Sequence, residues 1–119
     1  MDLLNLLIKR RSIRKYTDAK LPKQYLEMIL NAGLLSPSGR NRQPWEFIVV
    51  EEKEVLAKLS KARAHGAGML ENAAAAIVVF ADPDKTDVWT EDCCIAMSNM
   101  HLMATELGVG SFWIQGRLR

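Results

Sequence analysis

The spacing of apolar side chains divides the chain into helical and extended stretches. An apolar residue at every third or fourth position predicts a helix, whereas a short unbroken apolar run predicts a buried strand. The first pattern predicts helices over residues 2–9, 22–33, 52–62 and 88–107. The second predicts strands over residues 45–51, 75–81 and 111–115. Because helices alternate with apolar strands, the chain belongs to the α/β or α+β class.

The ends of three helices carry recognisable signals. Asp2 is placed to cap the first helix, and Lys9 lies near its C-terminal end, where the helix dipole favours a cation. Pro22 suits the start of the second helix and Gly33 its end. Gly108 ends the fourth helix, which at about 20 residues would be about 30 Å long.

The long fourth helix carries a stripe of small and flexible apolar side chains. Its members are Cys93, Ala96, Met97, Met100, Ala104 and Leu107. Small side chains let neighbouring helices approach closely, so this helix is expected at the centre of the domain or of a dimer. The methionines are interpreted as core residues, because the flexible thioether side chain fills irregular gaps.

Two polar stretches lie between the helices. SPSGRNRQP, residues 36–44, is dense in turn-forming residues and predicts a loop. RRSIRKY, residues 10–16, holds three arginines, a lysine and a serine in seven positions and predicts an extended segment. This second stretch could serve as a nucleic-acid patch, as a solvated helix end, or as the wall of a pocket for one phosphate.

Length and composition indicate one soluble globular domain over residues 1–119. About half of the residues are apolar and a quarter are charged, and no apolar run approaches the ~20 residues of a membrane helix. The N-terminus has its acid before its bases, the reverse of a secretory signal, so we expect a cytoplasmic protein without a membrane partner.

The potential metal ligands are few and poorly spaced for a metal site. Cys93 and Cys94 are adjacent within a helical pattern, which suits neither a metal site nor a disulfide framework, and we expect both to be buried. His65 and His101 are the only histidines, and we interpret them as structural or exposed. No metal site is therefore predicted.

Positive charge is concentrated in the first third of the chain. Residues 1–43 hold nine Lys or Arg against three acids, a balance of +6, whereas residues 44–119 hold seven against eleven, a balance of −4. Nucleic-acid binding usually needs a broader basic face, so this short local excess favours a small anion and no nucleic-acid partner.

Four segments together resemble one family. RRSIRKY (10–16), SPSGRNRQPWEFIVV (36–50), DCCIAMSNMHLMATELGVGS (92–111) and FWIQG (112–116) occur in the order and spacing of the nitroreductases, flavoenzymes that bind FMN at a homodimer interface. The resemblance covers nearly all of the chain. It implies the three-layer α+β nitroreductase-like fold, with a mixed or antiparallel sheet around a long central helix.

The resemblance also implies which residues contact FMN. Those expected at its phosphate or ribityl chain in the basic segment are Arg10, Arg11, Ser12 and Arg14. The chemistry agrees, because guanidinium groups bind phosphate bidentately and a serine hydroxyl adds a donor. Those expected to reach the flavin from the partner subunit are Pro37, Ser38, Gly39, Asn41 and Gln43. Arg40 and Arg42 are expected to face solvent or the phosphates of a nicotinamide dinucleotide.

The segment WIQG is expected to pass the flavin ring. By resemblance, the backbone of Ile114, Gln115 and Gly116 lies beside it, with an N–H of Gln115 or Gly116 near N5, the atom that accepts hydride. A fixed donor at the point where electron density develops would favour reduction. No side chain is predicted to act as a general acid or base.

The activity that the resemblance implies is FMN-dependent hydride transfer from NAD(P)H to a small acceptor such as a nitroaromatic or quinone, in a homodimer. Family members continue beyond the position of Arg119 with a further helix and strand, so the resemblance describes a C-terminally shortened chain. A fragment, a short natural variant, and a non-catalytic or degenerate flavin-binding dimer module are the alternatives left open.

Overall fold

The computed structural model describes residues 2–117 as a chain of six regular elements. They are the helices and strands α1 (Leu3–Lys9), α2 (Lys23–Leu34), β1 (Trp45–Val50), α3 (Lys53–Leu59), β2 (Ala76–Ala81) and α4 (Trp89–Glu106). Short 3-10 turns lie at Gly39–Asn41 and Gly68–Asn72. The predicted helices and the first two strands are all present, with ends that differ by a few residues.

Helix α1 begins and ends as its sequence predicts. The Asp2 carboxylate accepts a hydrogen bond of 2.9 Å from the backbone N–H of Asn5, which satisfies a donor that the helix itself leaves free. Lys9 lies in the last turn. Helix α1 buries no residue, and Leu3, Leu4, Leu7 and Ile8 are all more than half exposed.

The sheet consists of β1 and β2, which pair antiparallel from Trp45 opposite Ala81 to Val50 opposite Ala76. Because successive side chains point to opposite faces, Phe47, Ile77 and Val79 lie on the face that packs against the core. On the other face, Ile48 is 51% exposed.

Helix α4 is central, as predicted. It contacts α1, α2, β1 and β2, and Met100 and Ala104 on α4 form the buried core with Ile29 of α2. Gly33 of α2 makes this packing close, since an added Cβ there would lie 2.9 Å from the Met100 sulfur. Met97 and Met103 pack against the same cluster, which confirms the interpretation of these methionines as core residues.

The prediction of a third strand over residues 111–115 is wrong. These residues have no regular secondary structure, and their backbone link to residues 10–16 is the single hydrogen bond from the N–H of Ile13 to the carbonyl of Ser111, at 3.0 Å. An apolar run becomes a strand only when a neighbouring strand offers a ladder of donors and acceptors. Beside 111–115 lies the irregular segment 10–16, which offers one such contact.

The two cysteines are less buried than predicted. Cys93 and Cys94 are both half-buried on α4 and line a cleft. Burial, and then the neighbouring Cys94 and Asp92, raises the pKa of the Cys93 thiol.

Among residues 2–117, no helix combines the length and the apolar character that crossing a membrane requires.

Candidate functional site

The basic segment, residues 10–16, lies extended between α1 and α2 and is held against the segment that follows α4. Its anchor is Ile13, whose N–H donates to the Ser111 carbonyl and whose side chain packs on Gly110. A Cβ at Gly110 would lie 2.9 Å from a methyl carbon of Ile13. The absence of a side chain at Gly110 is therefore what lets the two segments touch.

Arg10 is half-buried and bonded to helix α4. Its Nη1 lies 3.4 Å from Nε2 of His101, a long hydrogen bond, and the other ring nitrogen, Nδ1, is bonded to the Ser111 hydroxyl. The guanidinium has no acceptor, so Nε2 must accept and the ring proton lies on Nδ1. Burial, and then the Arg10 charge, lowers the pKa of His101 and keeps the ring neutral at pH 7.

Three other polar residues of the basic segment have different surroundings. Arg11 donates to the carbonyls of Ile8 and Arg10 at 2.6 and 2.8 Å, so it satisfies the end of α1. Ser12 is exposed. The Arg14 guanidinium stacks on the Phe112 ring at 4.3 Å, a cation–π contact that fixes its position.

The loop of residues 36–43 has an unusual backbone. Arg40, Asn41 and Gln43 all adopt positive φ, between 52° and 55°, a conformation that costs about 1 kcal/mol or more for a residue with a Cβ. The Ser38 hydroxyl stabilises this shape by accepting from the N–H of Gln43 at 2.9 Å. The backbone N–H groups of Asn41 and Arg42 also bond within the loop, donating to the carbonyls of Ser38 and Gly39 at 3.0 and 3.2 Å.

Helix α4 holds this loop from the side. Asp92 is 3% exposed, and its Oδ1 accepts from the N–H of Gly39 at 3.0 Å. Its Oδ2 is buried and has no hydrogen-bond partner among residues 2–117. Asn99 donates to the Ser36 hydroxyl at 2.8 Å and fixes the start of the loop.

The two groups of predicted FMN contacts therefore lie on different faces of α4. Asp92, which holds the loop, and His101, which holds Arg10, are nine residues apart, a rotation of about 180° and a rise of about 14 Å along the helix. The structure does not bring Ser38, Gly39, Asn41 and Gln43 together with Arg10, Ser12 and Arg14 within one chain.

Part of the basic segment and residues 114–116, the remaining predicted FMN contacts, line one cleft of about 860 Å³. Its lining includes Lys15, Tyr16 and His101 together with Ile114, Gln115 and Gly116. Phe112, under the Arg14 guanidinium, also lines it. Arg10 and Arg14 do not line the cleft; each lies at its edge through contact with a residue that does, His101 and Phe112 respectively. Burial raises the pKa of Tyr16, against a smaller lowering by the Arg14 charge.

Residues 114–116 have no regular secondary structure; Ile114 and Gln115 are half-buried and Gly116 is exposed. The Gln115 side chain donates to the carbonyl of Arg117 at 3.3 Å, and Arg117 lies over the Trp89 ring at 5.5 Å. Gly116 has open space around the position of a Cβ.

A second cleft, of about 750 Å³, lies beside the 36–43 loop. Arg40, Arg42 and Lys85 line it, and both arginines are exposed, in the position expected of groups that face solvent or an anionic ligand. The Arg42 guanidinium approaches the Lys85 carbonyl at 3.5 Å. Asp84 and Asp87 line the same cleft, which reduces its positive charge.

Three residues that organise the site were not identified from the sequence. Asp92 and Ser111 carried no prediction, and His101 was interpreted only as structural or exposed. Their partners are 53, 10 and 91 residues away along the chain, which no local pattern encodes. The position of Asp92 in the first turn of α4, where an acid is favoured, was the available signal.

Comparisons with known proteins identify the family. Residues 7–66 and 60–119 match the Nitroreductase family in two overlapping stretches. An FMN-dependent nitroreductase from Clostridium difficile R20291 is 52% identical, with a TM-score of 0.96 over 98% of this chain and 68% of that one. A Bacteroides fragilis nitroreductase crystallised with bound FMN is 28% identical, with a TM-score of 0.84 over 98% of this chain and 71% of that one.

The curated relatives agree. A protein of Archaeoglobus fulgidus, provisionally named NADH dehydrogenase/NAD(P)H nitroreductase, is 46% identical over an alignment of 117 positions that covers 95% of this chain and 67% of that protein. A Methanothermobacter thermautotrophicus relative of the same name is 40% identical, and the chain spans 60% of its length. On the strength of the family match and of these identities, the chain belongs to the nitroreductase family.

Proposed function

We propose that this chain binds FMN and forms part of an NAD(P)H-dependent oxidoreductase that reduces a small acceptor such as a nitroaromatic or quinone. The observation that carries the proposal is the position of Arg10 and Arg14. Both lie at the edge of the 860 Å³ cleft that residues 114–116 line, through their contacts with His101 and Phe112. The volume is in the range of about 300–1,000 Å³ that small-molecule sites occupy.

The donors at this edge fit a phosphate. Among residues 2–117, Arg10, Arg11 and Arg14 have no carboxylate partner, so their charge is available to an anion. Arg10 and Arg14 are nonetheless held in place by neutral groups, an imidazole and a phenyl ring. Ser12 lies exposed between them and adds a hydroxyl donor. Two guanidinium groups and a hydroxyl are a suitable set for a phosphate dianion.

The arrangement around α4 favours a site shared by two subunits. The 36–43 loop presents polar groups on one face of the helix, and the basic segment lies on the opposite face. A cofactor that touched both sets would need the loop of one chain and the basic segment of another. The exposed apolar side chains of α1 support such an assembly, because contiguous apolar surface of this kind marks protein interfaces. We therefore propose a homodimer.

Each group of residues has its own part in the reaction. When bound, FMN supplies the hydride chemistry, accepting two electrons from NAD(P)H and passing them to the acceptor. Arg10, Ser12 and Arg14 bind the phosphate and set the depth of the cofactor. Pro37, Ser38, Gly39, Asn41 and Gln43 of a second subunit would contact the ring or ribityl chain, and backbone N–H groups of Gln115 and Gly116 would donate to the flavin ring.

The test is reconstitution of the purified chain with FMN. We expect saturable quenching of FMN fluorescence, a protein-bound flavin absorption band, bleaching of that band by NADH or NADPH without oxygen, and its return on addition of a quinone. Bound FMN without bleaching would indicate a non-catalytic flavin-binding module. Absence of binding at micromolar FMN would reject the proposal for this chain.

Substitutions at the phosphate edge test the assigned residues. Arg10→Ala and Arg14→Ala should each weaken FMN binding by about tenfold or more, because each removes a charge-assisted bond. Lys23→Ala is the matched control, since it removes an exposed lysine of α2 that lines neither cleft. Equal FMN affinity in all three variants would show that the phosphate lies elsewhere.

A further inference from the structure

The strongest unassigned feature is the chain of contacts from Arg10 through His101 to Ser111. It joins three parts of the protein: the end of α1, the middle of α4 and the segment that follows α4. The nearby bond from the Ile13 N–H to the Ser111 carbonyl adds a second link between the outer two parts. The imidazole is therefore the connection between a proposed phosphate ligand and the central helix.

A neutral imidazole is a suitable partner for an arginine that must bind an anion. A carboxylate in its place would hold the guanidinium but would also cancel the charge that attracts phosphate. Nε2 accepts from Arg10 without that cancellation, provided that the ring carries its proton on Nδ1. The Ser111 hydroxyl can accept that proton, so its contact with Nδ1 is compatible with this tautomer. An ordered arginine also loses less side-chain entropy on binding a ligand.

We propose that His101 is a positioning residue for the phosphate of FMN. Its neutral ring, with the proton on Nδ1, holds Arg10 through Nε2. When the ring is protonated, it releases Arg10. This inference rests on the proposed flavin function. It adds a dependence on pH, because an imidazolium would present an N–H to the N–H of Arg10 and set two positive charges against each other. FMN affinity should then fall in acid by more than the titration of the phosphate alone explains.

Besides Arg10, the basic segment carries the exposed Arg11, Arg14 and Lys15 and the half-buried Tyr16. Strand β2 and residues 108–114 carry no titratable side chain. The charged side chains on α1, α2 and β1, the other elements packed against α4, are the exposed Lys9, Lys23, Glu27 and Glu46, and Tyr25 of α2 is half-buried. On α4 itself, Cys94 lies two turns before the ring and the exposed Glu106 lies five residues after it. The lowered pKa of His101 follows from burial first and from Arg10 second, in keeping with this environment.

The first experiment needs no flavin. Two-dimensional ¹H–¹⁵N spectra of the histidine rings in the flavin-free protein should show Nδ1 protonated and Nε2 unprotonated at pH 7.5, with the His101 signals titrating below pH 6.5. His65→Gln assigns the two rings and serves as the matched control, since His65 is exposed. An Nε2-protonated ring, or a ring charged at pH 7, would overturn the proposal whether or not FMN binds.

The second experiment measures FMN affinity by fluorescence quenching between pH 5 and 8. His101→Leu should weaken FMN binding about tenfold at pH 7.5. His101→Gln, which keeps an amide oxygen as acceptor and cannot titrate, should restore most of that affinity and have a flatter pH profile than the wild type. The second ionisation of the phosphate, with a pKa of about 6, is common to all variants and cancels in the comparison.

Riboflavin, which lacks the phosphate, separates positioning from a general structural effect. If the weaker FMN binding of His101→Leu concerns the phosphate, the affinity for riboflavin should be the same in that variant and in the wild type. Ser111→Ala is a second variant that leaves the ring in place but removes the partner of Nδ1, and it should weaken FMN more than riboflavin. If Arg10→Ala weakens FMN and His101→Leu does not, the proposal fails while the flavin function stands. If no variant alters FMN binding, the placement of the phosphate at Arg10 fails together with the role of His101, whereas only an absence of FMN binding rejects the flavin function.

Discussion

Asp92 illustrates how much one buried side chain decides. It is a carboxylate at the first turn of α4 with one oxygen bonded to Gly39 and the other without a hydrogen-bond partner among residues 2–117. The positive end of the helix dipole stabilises its charge there. Its hydrogen bond links α4 to Gly39, 53 residues earlier in the sequence, and so holds the 36–43 loop against the helix. This contact helps to maintain the positive φ angles of the loop.

Removing this carboxylate should loosen the loop. In Asp92→Ala, the Gly39 amide hydrogen should exchange with solvent at least about tenfold faster, because a hydrogen bond to a charged acceptor is worth about 1.5–3 kcal/mol. Asp92→Asn keeps an acceptor oxygen and should have a smaller effect. Asp87→Ala, at an exposed acid before the same helix, is the control. An unchanged exchange rate at Gly39 would show that the bond does not restrain the loop.

His101 should make stability depend on pH. Because its folded-state pKa lies below the ordinary 6.5, the unfolded chain binds the proton more readily than the native state. The stability present above pH 6.5 should therefore decrease as the pH falls below 6.5 and level off below the folded-state pKa. Urea unfolding at pH 7.5, 6.5, 5.5 and 4.5 measures this, with His101→Gln as the non-titrating control. Parallel curves for the two proteins would contradict the expectation.

At the scale of elements, the basic segment owes its position to close contact with the segment after α4. The contact consists of one backbone hydrogen bond, the Arg14–Phe112 stacking and the packing of Ile13 on Gly110. None of these is regular secondary structure. Two irregular segments that pack against each other can fix the positions of charged side chains and still leave those side chains accessible to a ligand.

This contact predicts that an alanine substitution lowers the stability of the protein at Gly110 but not at Gly116. Gly110→Ala places a Cβ 2.9 Å from a methyl carbon and 3.2 Å from the Cβ of Ile13, so it should lower the free energy of unfolding by about 1–3 kcal/mol. Gly116→Ala, where the space is open, should change it little. Ile13→Ala combined with Gly110→Ala should recover part of the loss. Equal stability of the two glycine variants, by urea unfolding, would contradict the close packing.

At the scale of the whole molecule, one chain leaves two features incomplete. The predicted flavin contacts are divided between opposite faces of α4, and α1 presents Leu3, Leu4, Leu7 and Ile8 to solvent. A second copy could cover α1 of the first and place its own 36–43 loop beside the first copy's basic segment. The apolar side chains would then be buried and the two groups of predicted contacts would meet. The same polypeptide would then supply two complete sites per dimer.

A homodimer should therefore be observed by sedimentation velocity at micromolar concentration. Leu4→Glu and Ile8→Glu together place two charges on the apolar face of α1 and should shift the protein to a monomer, because desolvating them in an interface is costly. Lys9→Glu alters charge at the exposed end of the same helix and is the control. FMN binding should be lost with the dimer. A monomeric wild-type protein would contradict the shared site.

The sequence by itself determined the helices, the first two strands, the loop at 36–44 and the family, because periodicity, turn residues and ordered motifs are local in the chain. It also indicated a local anion site in the basic segment. Only the tertiary structure decided that residues 111–115 form no strand, that Arg11 satisfies the end of α1, that Asp92 holds the 36–43 loop and that His101 holds Arg10. The physical reason is that a strand needs a neighbouring ladder, and a buried side chain takes its role from groups far away in sequence.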